Sequence, residues 1–138
     1  MTKPLSLLIA DDDKDDRDLF ESILRREAPD ANVTAVADGI EVIDYLKNCP
    51  ELYLPDALIL DYNMPLMNGA QVLDAICSDP KYYGVAKFML STSSQPEYKD
   101  SCIKKGAIEY FVKANSIEGT AMIANEIISY CRQTIAKR

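Results

Sequence analysis

The chain has no histidine and no tryptophan among its 138 residues. Without an imidazole there is no Ser-His-Asp triad, no Cys/His zinc site and no phosphohistidine of the chain's own. The four cysteines, Cys49, Cys77, Cys102 and Cys131, lie far apart and make no C-x-x-C pair. They read as reduced, mostly buried thiols of a cytoplasmic protein. Long apolar runs are missing too: none nears the ~20 residues that cross a bilayer. The short apolar stretch at the N-terminus runs into three carboxylates, not into a signal-peptide cleavage site. Positive charge is in deficit, with 15 Lys and Arg against 22 Asp and Glu and a net charge of −7. That balance repels a phosphate backbone and argues against nucleic-acid binding. Neither a membrane nor a nucleic acid is an expected partner.

What is present is ordinary globular material. Hydrophobic residues at 48% and charged residues at 27% suit one core and one domain over residues 1–138. Apolar runs of strand length alternate with segments of helical period. Leu5–Ala10 is continuously apolar, as a strand buried on both faces should be. In residues 16–28, Leu19, Phe20, Ile23 and Leu24 recur at helical steps, and Pro29 closes the element. Val33–Ala37 reads as a strand ended by the Asp38-Gly39 turn, and Ile40–Lys47 as a helix. A loop with two prolines leads to the strand Ala57–Leu60. The loop DYNMPLMNG and the helix Ala70–Cys77 follow it. Lys87–Leu90 is a fourth strand, Gln95–Lys105 a helix ended by Gly106, and Glu109–Val112 a fifth strand. Ser116 caps a last helix to Ala136, with Ile117, Ile123, Ile127, Ile128, Cys131 and Ile135 on or near its inner face. This alternation predicts an α/β fold, a mostly parallel sheet covered on both faces, with ligands at the carboxyl ends of its strands.

The residues that follow four of the strands form one chemical set. Asp11 and Asp12 follow the first, Asp61 the third, Ser91 and Thr92 the fourth, and Lys113 the fifth. A parallel sheet brings these ends to one edge. Two carboxylates ~4 Å apart repel by roughly 4 kcal/mol at an effective dielectric near 20. A hard divalent cation relieves that repulsion, and Mg²⁺ accepts a few carboxylates together with several waters. Asp61 could then attack phosphorus, with Lys113 and the metal balancing charge and Ser91 donating to a phosphoryl oxygen. Each residue also has a plainer reading. Asp13 serves as an N-cap, Asp15 and Asp16 as the acidic start of a helix, Lys113 as a solvated lysine and Tyr110 as core packing. Only the convergence favours chemistry.

The segments LLIADDD, LILDYNMPLMNG, FMLSTSS and GAIEYFVK, in this order and at these intervals, resemble the receiver domain of two-component response regulators. The resemblance spans nearly the whole chain. It implies a flavodoxin-like, doubly wound sheet of order 2-1-3-4-5 with five helices. It makes Asp61 the phosphoacceptor, and Mg²⁺ the cofactor, held by Asp11, Asp12, Asp61 and the backbone carbonyl of Asn63. Ser91 and Tyr110 become switch residues, and Lys113 the partner of the phosphate. The implied protein is a stand-alone regulator with no output domain after the last helix. Its phosphoryl group comes from a histidine kinase or a His-phosphotransfer protein. It signals to a downstream protein target, with a homodimer through the fourth helix, fifth strand and last helix as a further expectation. The family usually has proline where Ala114 follows Lys113. Two rivals stand beside this reading: a receiver-like binding module without phosphorylation, and an aspartyl-phosphate hydrolase. The hydrolase would need a second Asp where Asn63 stands. A flavin carrier would need a phosphate-binding loop after the first strand, and none is there.

Overall fold

The computed structural model describes residues 3–137. Five strands, β1 (Ser6–Ala10), β2 (Asn32–Val36), β3 (Ala57–Leu60), β4 (Ala86–Ser91) and β5 (Ala107–Val112), pair in parallel in the order β2-β1-β3-β4-β5. Five helices connect and follow them: α1 (Lys14–Glu27), α2 (Gly39–Asn48), α3 (Gly69–Ile76), α4 (Pro96–Lys104) and α5 (Ile117–Ala136). This is the flavodoxin-like order that the resemblance implied.

Alternation along each strand builds two cores from one sheet. Leu7 and Ile9 of β1 face Phe20, Ile23 and Leu24 of α1 and Ile127 and Ile128 of α5. Leu8 and Ala10 face the other way, into Val42 and Leu46 of α2 and Val72, Leu73 and Ile76 of α3. All four are at most 2% exposed, so a strand with no polar alternation was needed.

Local chemistry sets the boundaries. Asp13, Asp38, Asn68 and Ser116 each accept from a backbone N–H in the first turn of the helix they cap. Gly106 stands at φ 104° after α4, where a side chain would be strained. The proline-bearing loop before β3 contains one 3₁₀ turn, Glu51–Tyr53.

Three expectations about packing need correction. Ile117 is 54% exposed: it is the first residue of α5, directly after the Ser116 cap, and the buried residues of that helix begin at Ala124. Leu19 is 40% exposed, at the rim of the α1 stripe. Of the cysteines, only Cys102 and Cys131 are buried; Cys49 and Cys77 follow the last turns of α2 and α3, where the chain leaves the core. No helix among the described residues is long and apolar enough to cross a membrane.

Candidate phosphoacceptor site

Strand register assembles the site. Ala10 of β1 pairs with Leu60 of β3, so the residues one step beyond, Asp11 and Asp61, emerge side by side. The Asp61 N–H donates to the Ala10 carbonyl at 2.9 Å and the Asp11 N–H to the Val36 carbonyl at 3.2 Å. At the other side of the site Ser91 pairs with Val112, and the Lys113 N–H donates to the Ser91 carbonyl at 2.8 Å. Side-chain parity then sorts the residues. Ile9, Ile59 and Phe111 pack on the α1/α5 side of the sheet, and Asp11, Asp61 and Lys113, two positions further on, share that side.

Asp11 and Asp61 are buried, and Asp12 is exposed at the mouth. One oxygen from each of the three lies within 4.8 Å of the others. An all-oxygen set of this size and charge suits a hard divalent ion, and Mg²⁺ above softer metals. The loop is held in shape by its own backbone. The Asp13 N–H donates to Asp11 Oδ1 at 3.0 Å, and Arg17 Nη1 donates to the Asp11 carbonyl at 2.7 Å.

Lys113 reaches the carboxylates from β5. Its Nζ lies 2.7 Å from Asp11 Oδ2, 2.9 Å from Asp16 Oδ2 and 3.3 Å from Asp61 Oδ2. Burial works against the ammonium, but hydrogen bonds to Asp11 and Asp16 and the charge of Asp61 more than reverse it, so its pKa rises above the ordinary lysine value. Burial also pushes the Asp61 carboxyl up to about 6; the lysine opposes that shift and neighbouring Asp11 adds to it. A buried carboxylate with a raised pKa beside a fixed cation is the profile of a functional group.

Ser91 and Tyr110 lie on the opposite parity, with Met89 and the α3 core. Ser91 is fully buried, and Tyr110 is buried with its hydroxyl donating to the Ser93 carbonyl at 2.8 Å. Burial raises the Tyr110 phenol, against opposing hydrogen bonds with Ser91 and Ser93. The two expected switch residues thus stand together under the β4–α4 loop. Asn63 sits in the loop after β3, its N–H 3.3 Å from Asp61 Oδ1. Every described peptide is trans, including Lys113–Ala114.

Two features anchor the loop after β3. The Gly69 N–H donates to the Tyr62 carbonyl at 2.9 Å, and a Cβ on Gly69 would stand 2.6 Å from the Asp61 carbonyl oxygen. Tyr62 in turn stacks on Tyr98 of α4, ring centroids 4.2 Å apart and 11° from parallel. Asp16 is the site residue that sequence reasoning missed. It reads as an ordinary first-turn acid, and its partner Lys113 is 97 residues away, so no local pattern marks the pair. Arg17 was missed likewise, because what it holds is a backbone carbonyl.

Comparison with known proteins agrees with this geometry. The family model described as the response regulator receiver domain matches residues 7–123. The protein-glutamate methylesterase/protein-glutamine glutaminase of Pyrococcus horikoshii is 33% identical over 96% of the chain, but the chain spans only 35% of that relative's length. A chemotaxis protein CheY homolog of Campylobacter jejuni is 28% identical, over 79% of the chain and 81% of its own length. Among solved structures, the phosphorylated cyanobacterial phytochrome response regulator RcpA superposes with a TM-score of 0.86, at 26% identity and 96% coverage of both chains. The CheX–CheY–BeF3–Mg complex of Borrelia burgdorferi also superposes, with a TM-score of 0.77, 26% identity, and 92% and 89% coverage. With the sheet order, the acidic cluster and a family match over most of its length in agreement, the chain belongs to the response regulator receiver domains.

Proposed function

We propose that this protein works as a phosphorelay response regulator in the cytoplasm and takes a phosphoryl group on Asp61. The observation that carries the reading is the Asp11–Asp12–Asp61 cluster, its oxygens within 4.8 Å, with the Lys113 ammonium against it. The donor is a phosphohistidine on a partner histidine kinase or His-phosphotransfer protein. The chain has no histidine with which to make one.

Asp11, Asp12, Asp61 and the Asn63 carbonyl would hold Mg²⁺. Bound there, the ion supplies positive charge to the phosphoryl oxygens and to the carboxylates around it. An Asp61 carboxylate oxygen attacks phosphorus, the phosphorus–nitrogen bond of the donor breaks, and its electron pair returns to the imidazole. Lys113 already lies 3.3 Å from Asp61 Oδ2 and pairs with the incoming charge. The modification brings about −1.5 to −2 charges into the edge of the sheet. Ser91 turns its hydroxyl to a phosphoryl oxygen, and Tyr110 moves with the β4–α4 loop it now binds through Ser93. The face made by α4, β5 and α5 then changes its affinity for a downstream protein or for a second copy.

Incubation with Mg²⁺ and acetyl phosphate, followed by intact-mass measurement, tests this. The expected result is one acid-stable, base-labile phosphoryl adduct in the wild type and none in Asp61→Asn. An adduct that survives Asp61→Asn, or none in the wild type, refutes it. Multiple turnover on a phosphate ester would favour the hydrolase instead.

A further inference from the structure

The Lys113 ammonium lies within ion-pair distance of three carboxylates, and it donates hydrogen bonds to Asp16 and Asp61. Two of these partners belong to the reacting centre. Asp61 is the acceptor, and Asp11 is one of the three carboxylates that cluster closely enough to share a cation. Loading the site changes what both can offer the lysine. Asp16 is different. It sits in the first turn of α1, outside that cluster, with its side chain 45% exposed, and nothing in the phosphotransfer calls on it.

Packing does not hold the lysine in place by itself. A cavity of about 50 Å³ borders Lys113 and Ala114, walled by Leu19, Phe20 and Thr120. The lysine stem therefore has free space on its α1/α5 side, into which the head could swing. Asp16 lines the same cavity. Its backbone is fixed, because its N–H donates to the Asp13 cap at 3.0 Å. Its carboxylate is therefore presented from a rigid helix end.

We infer that Asp16 is a positioning residue: it anchors the Lys113 ammonium over Asp61 while the other two partners change during phosphoryl transfer. This rests on the phosphoacceptor reading of Asp61. In Asp16→Asn the lysine keeps its charge but loses the partner that persists through the reaction. The cost then falls on the loading rate, and Mg²⁺ affinity is nearly untouched.

The experiment measures phosphoryl loading from acetyl phosphate at saturating Mg²⁺ by intact mass, and Mg²⁺ affinity separately by tyrosine fluorescence. Four proteins are compared: wild type, Asp16→Asn, Asp16→Glu and Asp15→Asn. Asp15 is exposed in the same helical turn and carries the same charge, so Asp15→Asn controls for charge alone. Loading by Asp16→Asn should slow about five- to tenfold, as befits loss of one charge-assisted contact that orients a reacting partner. Its Mg²⁺ affinity should stay within about threefold, since a charge outside the ligand set acts only through screened Coulomb attraction. Asp16→Glu should recover most of the rate, and Asp15→Asn should load like the wild type. Wild-type loading in Asp16→Asn, or equal slowing in Asp15→Asn, overturns the inference and leaves Asp61 as acceptor. Failure of the wild type to load overturns both readings.

Discussion

Replacing Asp61 by Asn should make the metal-free protein more stable at neutral pH. The Asp61 carboxyl has its pKa pushed up to about 6 from an ordinary 3.8, mainly by burial. A carboxyl raised in the folded state favours folding while it is protonated, below the unfolded value near 4. That contribution is lost as the pH climbs through about 6. At pH 7.5 the ionised group therefore costs about 1–3 kcal/mol, because solvent and the Lys113 ammonium screen part of the burial penalty. Asn keeps the shape and does not titrate. For a domain of this size, that corresponds to a Tm rise of about 3–12 °C. The assay is thermal unfolding of both proteins in EDTA at a series of pH values. The gap should be small at pH 4, open between pH 4 and 7, and stay open above. Saturating Mg²⁺ should close most of it, because a ligand at a hundred times its Kd stabilises the native state by about 2.7 kcal/mol. An Asn variant that is neutral or less stable in EDTA at pH 7.5, or a gap that ignores pH, would refute the argument.

Other perturbations test the supports of the site. Gly69→Ala would drive a methyl group into the Asp61 carbonyl and the Met89 side chain. It should cost about 1–3 kcal/mol in urea unfolding, as overpacking does, and slow phosphoryl loading. Asn68→Ala removes a capping box completed by Gln71 and should cost about 1 kcal/mol by the same measurement. A double-mutant cycle on the Tyr62–Tyr98 stack, with Ala at each position, should give a coupling of about 1 kcal/mol; zero coupling would mean that α4 is not tied to the acceptor loop through these rings.

The sequence exposed the parts of this molecule that depend on short-range pattern. Leu7 to Ala10 could be read as a two-faced strand because every residue is apolar, and Ser116 as a cap because it precedes a helical stripe. The convergence of Asp11, Asp61 and Lys113 was legible for a topological reason: parallel strands deliver their ends to one edge whatever the loops between them do. The strand order was not legible from the residues alone and came with the family resemblance. What stayed hidden depends on packing at the rim. Ile117 has the inner-face period but stands exposed at the first residue of α5. Asp16 has the composition of a helix start and also the position of a lysine anchor. No rule of spacing separates such cases, because the deciding neighbour is distant in the chain.

Charge counting shows why these residues work only as a set. Asp11, Asp12 and Asp61 supply three negative charges at one end of the sheet, and Lys113 supplies one positive charge among them. Transfer of a phosphoryl group to Asp61 replaces a single carboxylate charge with about −1.5 to −2. One ammonium cannot balance that total, and it is already shared with Asp16. A divalent cation held in the all-oxygen cluster would offset most of the remainder, and it would compete with Lys113 for Asp11, the lysine's nearest partner. On the proposed function, Asp11 would serve the cation, and the Lys113 donor that Asp11 now holds would be left for the phosphoryl group. On this argument Lys113→Arg should load poorly even though its charge is kept. The planar guanidinium cannot satisfy three separately placed acceptors as an ammonium does.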